Sequence, residues 1–142
     1  SAPRPRRRPE TAEVRLEALA LVAAGGALGA VARYLVALLV VERLGLESLW
    51  ATAAVNLLGC AAIGAAVAWF EARAGADLEL RLALVVGFLG AFTTFSTFAL
   101  EAARGLDQGR QLAALGNLLL QPALGLAAVL AARGLVAGWL AD

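Results

Sequence analysis

The sequence predicts an all-α integral membrane protein with four transmembrane helices, and three observations lead to that prediction. Hydrophobic residues make up 61% of the 142 residues and the mean hydropathy is +0.79, both well above a soluble domain. The apolar residues fall into four long stretches, 18–41, 49–70, 82–100 and 112–132, and short charged joints separate them. Each stretch has about the 20 residues that a helix needs to cross a hydrocarbon core of roughly 30 Å. Helices are the expected spanning form because lipid cannot satisfy backbone polar groups.

The chain divides into a short polar segment and one membrane domain. Residues 1–17 form an Arg- and Pro-rich tail with a helical lead-in, expected at the membrane surface, and residues 18–142 form the transmembrane domain. Trp50 and Trp69 flank the second stretch, where interfacial aromatic residues anchor a span. Four such helices enclose little space alone, so we expect an oligomer in the membrane.

Composition also excludes several classes of function. There is no His, and Cys60 is the only cysteine, which excludes a His-bearing catalytic triad, a His/Cys metal site and a disulfide. The net charge of +1 gives no reason to expect a nucleic-acid partner. The sequence therefore does not indicate an enzyme.

Residues 87–98 of the third stretch combine glycines with a run of hydroxyl residues and phenylalanines. One interpretation is a helix interrupted near Gly90 to Thr93, whose freed carbonyls face protein or a hydrated cavity and can coordinate a cation. The alternative is an intact helix in which the hydroxyl groups bond back to preceding carbonyls. The residues alone do not decide between the two.

Two further features of the spans allow either a functional or a packing interpretation. Phe95 and Phe98 are three residues apart and so share a helix face. The positive edges of their rings favour a small anion, although two packing phenylalanines satisfy the pattern equally well. Asn56 is the only amide of the second stretch, and a buried amide needs hydrogen-bond partners in an adjacent helix or a bound ion.

Three ordered segments resemble the CrcB, or Fluc, fluoride channel family. They are GGALGAVARY (25–34), WATAAVNLLGCAAIG (50–64) and GFLGAFTTFSTFALE (87–101), and the similarity covers nearly the whole chain after the tail. The resemblance implies a dual-topology, antiparallel homodimer in the bacterial inner membrane, with a broken third helix and two fluoride pathways. It also implies a multi-pass channel that passively exports fluoride from the cytoplasm and so reduces fluoride toxicity, with fluoride and membrane lipid as its partners.

The resemblance also assigns site residues. In the family pattern, Phe95 and Phe98 line the pathway and Asn56 donates to the anion, while carbonyls of Gly90 and Thr93 from both subunits hold a central structural Na⁺. All positions expected along the fluoride pathway are Arg33, Asn56, Thr94, Phe95, Ser96, Thr97, Phe98, Glu101, Asn117 and Gln121. The fourth stretch departs from the family, because Asn117 and Gln121 stand where members usually carry Tyr and Ser, although both amides can still bond an anion.

Two other functions fit parts of the pattern. A small multidrug-type transporter is also a four-helix antiparallel dimer, but it needs a buried carboxylate, and the first stretch has none between Glu17 and Glu42. A non-conducting assembly subunit leaves the hydroxyl and phenylalanine cluster of the third stretch unexplained.

The distribution of arginines bears on how the chain inserts. Outside Arg33, eight arginines lie on the side of the termini and three on the other side. Four of the eight belong to the tail, and without them the two sides are nearly balanced, as insertion in both orientations requires. We therefore expect dual topology, with one subunit of a heterodimeric fluoride channel as the alternative.

Overall fold

Four long apolar helical segments dominate the structure. The computed structural model describes residues 10–73 and 77–141, with the side chains of the first helix described from residue 16 onward. The segments long and apolar enough to cross a membrane are Leu16–Arg43, Ser48–Glu71, Leu78–Asp107 and Gln111–Ala141. The prediction of an all-α membrane protein with four spans is therefore confirmed. Residues 1–9 of the predicted tail lie outside the described residues.

The first and third spans each combine several helical elements. In chain order the elements are α1 (Glu10–Leu38), the π-helical π1 (Leu39–Arg43), α2 (Ser48–Glu71), α3 (Leu78–Arg81), the π-helical π2 (Leu82–Leu89), α4 (Gly90–Phe92), α5 (Phe95–Asp107) and α6 (Gln111–Ala141). Two residues between α4 and α5, Thr93 and Thr94, have extended backbone, with ψ of 157° and 113°. π-Helical segments are rare and often mark functional regions.

The short connections between spans contain a polar helix cap and two glycine turns. Oδ1 of Asp77 accepts hydrogen bonds from the amides of Glu79 and Leu80 and so caps α3. Gly45 and Gly109 have φ values of 65° and 72°, which glycine adopts most easily, and they form the turns after π1 and α5. Both turns lie on one side of the bundle, called here the loop side.

The helices pack in two pairs through close backbone approaches. α1 packs against π2 and α4, and α2 packs against α6. A Cβ at Gly29 would collide with the carbonyl of Phe88, and one at Gly64 would collide with the carbonyl of Val129. Small residues allow this approach, which takes over from the hydrophobic driving force that is missing in lipid.

The outer surface of the bundle is apolar. Leu112, Leu135 and Trp139 are among many large hydrophobic side chains that are mostly exposed, whereas Val55 is only 1% exposed. This arrangement suits a lipid environment, since a soluble domain rarely exposes such large apolar patches.

Exposed charges tie both ends of α2 to neighbouring segments. Arg110 and Glu47 form a two-point ion pair on the loop side, with N–O distances of 2.8 and 3.1 Å. At the other end Arg133 bonds Glu71 at 3.0 Å. Because these pairs are exposed, each contributes little to the free energy of folding.

Candidate functional site

The centre of the bundle contains the interruption of the third span, and Asn56 of α2 bridges it. The Thr94 amide donates to Oδ1 of Asn56 at 2.8 Å, and Nδ2 of Asn56 donates to the Thr94 carbonyl at 3.1 Å. In an uninterrupted helix the Thr94 amide would donate to the carbonyl of Gly90. The side chain of Asn56 therefore replaces the helical partner that the Thr94 amide has lost, and it adds a second bond at the Thr94 carbonyl.

Three amides continue from this bridge toward the loop side. Nδ2 of Asn56 also donates to Oε1 of Gln121 at 2.8 Å, and Nε2 of Gln121 donates to Oδ1 of Asn117 at 3.1 Å. We call Asn56, Gln121 and Asn117 the amide row. Within the described part of the chain, Nδ2 of Asn117 is buried and makes no hydrogen bond. The row thus joins α2 to α6 and ends in a free donor.

A cluster of hydroxyl groups surrounds the start of α5. Oγ1 of Thr94 accepts from the Thr97 amide at 3.2 Å, donates to Oγ1 of Thr97 at 3.0 Å and lies 3.3 Å from Oγ of Ser96. The Thr94 hydroxyl therefore caps α5. Oγ1 of Thr93 instead bonds back to the Leu89 carbonyl at 3.2 Å, as hydroxyls in spanning helices commonly do.

The two predicted phenylalanines lie close together but differ in exposure. Their ring centres are 5.6 Å apart with an interplanar angle of 48°. Phe98 is 5% exposed, whereas Phe95 is 78% exposed and points away from the chain's own core. Phe95 therefore contributes its ring to the outer surface of the bundle, beside the polar cluster.

A groove of about 430 Å³ brings most of the predicted site residues together. We call it the central groove, and its lining includes Asn56, Gly90, Thr93, Thr94, Phe95, Phe98 and Gln121. The groove combines amide and hydroxyl groups with ring surfaces, and among the described residues that line it none has a charged side chain. Such a set of neutral donors can solvate a small ion without trapping it.

Arg33 and Glu101 lie outside the central groove. They share a second groove of about 280 Å³ with Thr52, Thr94 and Thr97, called here the lateral groove. The Thr52 hydroxyl donates to Oε1 of Glu101 at 3.0 Å. Oε2 of Glu101 is buried and has no hydrogen-bond partner among the described residues. The lateral groove therefore holds the charged members of the predicted site.

A third groove, of about 340 Å³, opens on the loop side. Glu101 and Asn117 line it together with Arg104 and with the ion pair of Glu47 and Arg110. The hydrogen bonds and charge of Arg110 lower the pKa of Glu47 below its ordinary value. In the described part of the chain, the two buried side-chain atoms without a hydrogen-bond partner thus belong to Glu101 and Asn117, which both line this groove.

Sequence reasoning missed one contact of the site. Thr52 is not among the predicted site residues, and its bond to Glu101 was not expected. The available signal was spacing, because Thr52 lies four residues before Asn56 and so occupies the same face of α2. This face carries the two polar side chains of α2 that reach the third span.

Comparison with known proteins identifies the family. Residues 20–134 match the family described as CrcB-like protein, Camphor Resistance (CrcB). A protein named Fluoride-specific ion channel FluC from Solidesulfovibrio magneticus is 45% identical over 125 residues, covering 84% of this chain and 96% of the relative.

Two further relatives have the same name and similar coverage. The one from Rhizobium etli is 41% identical over 115 residues, covering 81% of this chain and 90% of its own. The one from Hahella chejuensis is 45% identical over 111 residues, covering 78% and 87%. The match extends across all four apolar segments. The chain is therefore a multi-pass bacterial membrane protein of the CrcB family, which is a family of ion channels and not of enzymes.

Proposed function

We propose that this protein is a fluoride-selective channel through which fluoride leaves the cytoplasm passively, reducing fluoride toxicity. The observation that carries the proposal is the central groove, where neutral donors and phenyl rings meet beside an interrupted helix. The names of the relatives support fluoride as the ion. The family assignment favours the channel over the small multidrug-type transporter.

The chemistry of the groove suits a small, strongly hydrated anion. Such an ion crosses a membrane only if the pore replaces its hydration shell without binding it too tightly. The hydroxyls of Ser96 and Thr97, which lie outside the groove lining but contact the Thr94 hydroxyl, supply neutral donors beside it. The edges of Phe95 and Phe98 supply weak positive electrostatic surfaces. Because transport needs no coupled reaction in this scheme, the membrane potential drives the anion outward.

The proposal includes an antiparallel homodimer. A single bundle leaves Phe95 78% exposed and the central groove open on one side. A second copy inserted in the opposite orientation covers that face and closes the groove into a pathway. Two identical subunits then give two pathways of opposite direction through the same assembly.

A structural Na⁺ at the dimer centre also belongs to the proposal. Gly90 is exposed beside the central groove, and the Thr94 amide donates to Asn56 instead of to the Gly90 carbonyl. Thr93 has extended backbone, which turns its carbonyl out of the helical pattern. Main-chain oxygens of Gly90 and Thr93 therefore fit a monovalent cation, and such an ion would neutralise carbonyl dipoles that meet between subunits.

Fluoride efflux from liposomes tests the function directly. Purified protein is reconstituted into vesicles loaded with potassium fluoride, and efflux starts when valinomycin allows potassium to balance the charge. The proposal predicts rapid fluoride release and negligible release from vesicles loaded with potassium chloride. No fluoride release, or equal release of both anions, contradicts it.

The orientation is tested in intact cells. A cysteine is placed in the 1–17 tail of a Cys60→Ala background, and an impermeant thiol reagent is added from outside. Dual topology predicts labelling of about half of the molecules. A heterodimeric channel with fixed orientation predicts labelling of all or none, together with no flux from the purified chain alone.

A further inference from the structure

The amide of Asn56 lines the central groove, but both of its hydrogens already have partners. An asparagine Nδ2 carries two donors. One hydrogen bonds the Thr94 carbonyl at 3.1 Å, and the other bonds Oε1 of Gln121 at 2.8 Å. In this conformation Asn56 therefore has no donor left for an ion in the groove.

The orientation of each amide in the row follows from the backbone of Thr94. The Thr94 amide can only donate, so the atom of Asn56 that faces it is Oδ1. Nδ2 of Asn56 must then face the Thr94 carbonyl and Gln121, and Gln121 must present its oxygen to it. The remaining nitrogen of Gln121 is bonded to Oδ1 of Asn117. Reversing any one amide places two donors or two acceptors against each other.

We propose that the Gln121 side chain competes with the permeating anion for the donor of Asn56. Its carbonyl oxygen is an acceptor of partial negative charge, held at one of the shortest hydrogen-bond distances in the site. It occupies the position from which a small anion would accept the same hydrogen. An anion binds Asn56 only when Gln121 turns away, so Gln121 sets the rate and apparent affinity of conduction.

The surroundings of Gln121 permit this movement. Gln121 is 8% exposed, and it borders the same groove as Asn56, Phe95 and Phe98, which provides space for a displaced side chain. Among the residues that the structure describes, its other side-chain hydrogen bond is the one to Asn117. This inference rests on the proposed fluoride conduction and adds that this chain has a built-in competitor at the centre of its pathway.

Two substitutions at position 121 give opposite predictions. Gln121→Leu has similar size and no acceptor, so it frees the Asn56 donor. We expect a change of about three- to tenfold, seen either as a lower half-saturating fluoride concentration or as a higher flux. This is the size of effect that one hydrogen bond within a membrane produces. Gln121→Glu places a carboxylate on the same donor and should reduce flux below the wild type, because it binds the donor more strongly and repels fluoride.

The control is Leu119→Ala on the same helix, where the side chain is 71% exposed and faces away from the groove lining. It should conduct like the wild type. Asn117→Ala releases Gln121 from its second contact without touching Asn56, and it should shift conduction in the same direction as Gln121→Leu. This variant decides the question if Gln121→Leu does not elute from gel filtration at the wild-type position.

The outcomes separate this inference from the proposed function. If the wild type conducts fluoride and Gln121→Leu is unchanged or slower, Gln121 is a supporting residue and the inference is wrong. Equal losses in the Leu and Glu variants lead to the same conclusion. If the wild type itself conducts no fluoride, the proposed function fails, and the competition fails with it.

Discussion

Replacing Asn56 by alanine should destabilise the protein more than any other single change in the amide row. The substitution removes three hydrogen bonds, leaves the Thr94 amide without a partner and takes one of its donors from the Thr94 carbonyl. Thr94 is 9% exposed and Gln121 is 8% exposed, so water does not readily replace the lost bonds. Hydrogen bonds in membranes average about 0.6 kcal/mol and reach about 1.7 kcal/mol. We therefore expect the free energy of unfolding to fall by about 2 to 5 kcal/mol.

Equilibrium unfolding in mixed micelles measures this loss, and Asn117→Ala provides a matched control. Asn117 accepts one hydrogen bond, from Gln121, so its loss should cost under about 2 kcal/mol. Hydrogen exchange at the Thr94 amide gives an independent readout, since it should accelerate at least about tenfold in Asn56→Ala. If Asn56→Ala unfolds within about 0.5 kcal/mol of the wild type and Thr94 exchange is unchanged, the bridging role of Asn56 is refuted.

Three further predictions concern the rings, a helix contact and an exposed ion pair. Phe95→Ile and Phe98→Ile should each sharply reduce fluoride efflux while the gel-filtration profile stays unchanged, because isoleucine lacks the positive ring edge; wild-type efflux in both would assign the rings to packing. Gly29→Ala should lower the free energy of unfolding by about 1 to 3 kcal/mol, because its Cβ collides with a backbone carbonyl. Gly26→Ala should be nearly neutral, because the Cβ it adds lies 3.8 Å from its nearest neighbour, the Gly87 carbonyl oxygen. Equal losses of stability in the two variants would contradict the packing. Arg110 lowers the pKa of Glu47 in the folded protein, so the ion pair adds a little stability above the ordinary pKa of 4.5 and loses it as pH falls through the folded pKa. The melting temperatures of the wild type and Glu47→Gln should therefore converge at acid pH. A difference that grows as pH falls would contradict this prediction.

The sequence was sufficient for the four spans and the family. Lipid imposes long apolar helices, and these are visible in the hydropathy of the chain alone. The three segments that carry the family resemblance were equally visible, and the family match confirms them. The dimer, the bound Na⁺ and the roles of the pathway residues stay predictions.

The position of the interruption depends on a tertiary contact that sequence does not display. The sequence pattern placed it near Gly90 to Thr93. Gly90 has helical φ and ψ of −61° and −36°, and the extended residues are Thr93, at the end of the predicted range, and Thr94. Thr94 can leave the helix because Oδ1 of Asn56, 38 residues earlier in the chain, accepts from its amide in place of a helical carbonyl. The conformational freedom of glycine therefore predicts the region but not the residue.

The amide row was also beyond sequence reasoning. Asn56, Gln121 and Asn117 were each predicted as pathway residues, but their mutual bonds exist only because α2 packs beside α6. The π-helical segments had no recognisable signal either, since π2 is as apolar as the adjoining α-helices and π1 only continues the first apolar stretch into the charged joint at Glu42 and Arg43. In both cases packing between helices decides the local structure.

In the proposed function, the groove beside the interrupted helix conducts fluoride selectively, and the reversal potential of the current between fluoride and chloride solutions measures that selectivity. Purified protein is inserted into a planar bilayer with sodium fluoride on one side and an equal concentration of sodium chloride on the other. We expect the current to reverse only at a large potential, of the sign that opposes fluoride movement toward the chloride side. A reversal potential near zero, which indicates equal permeability to fluoride and chloride, would contradict it.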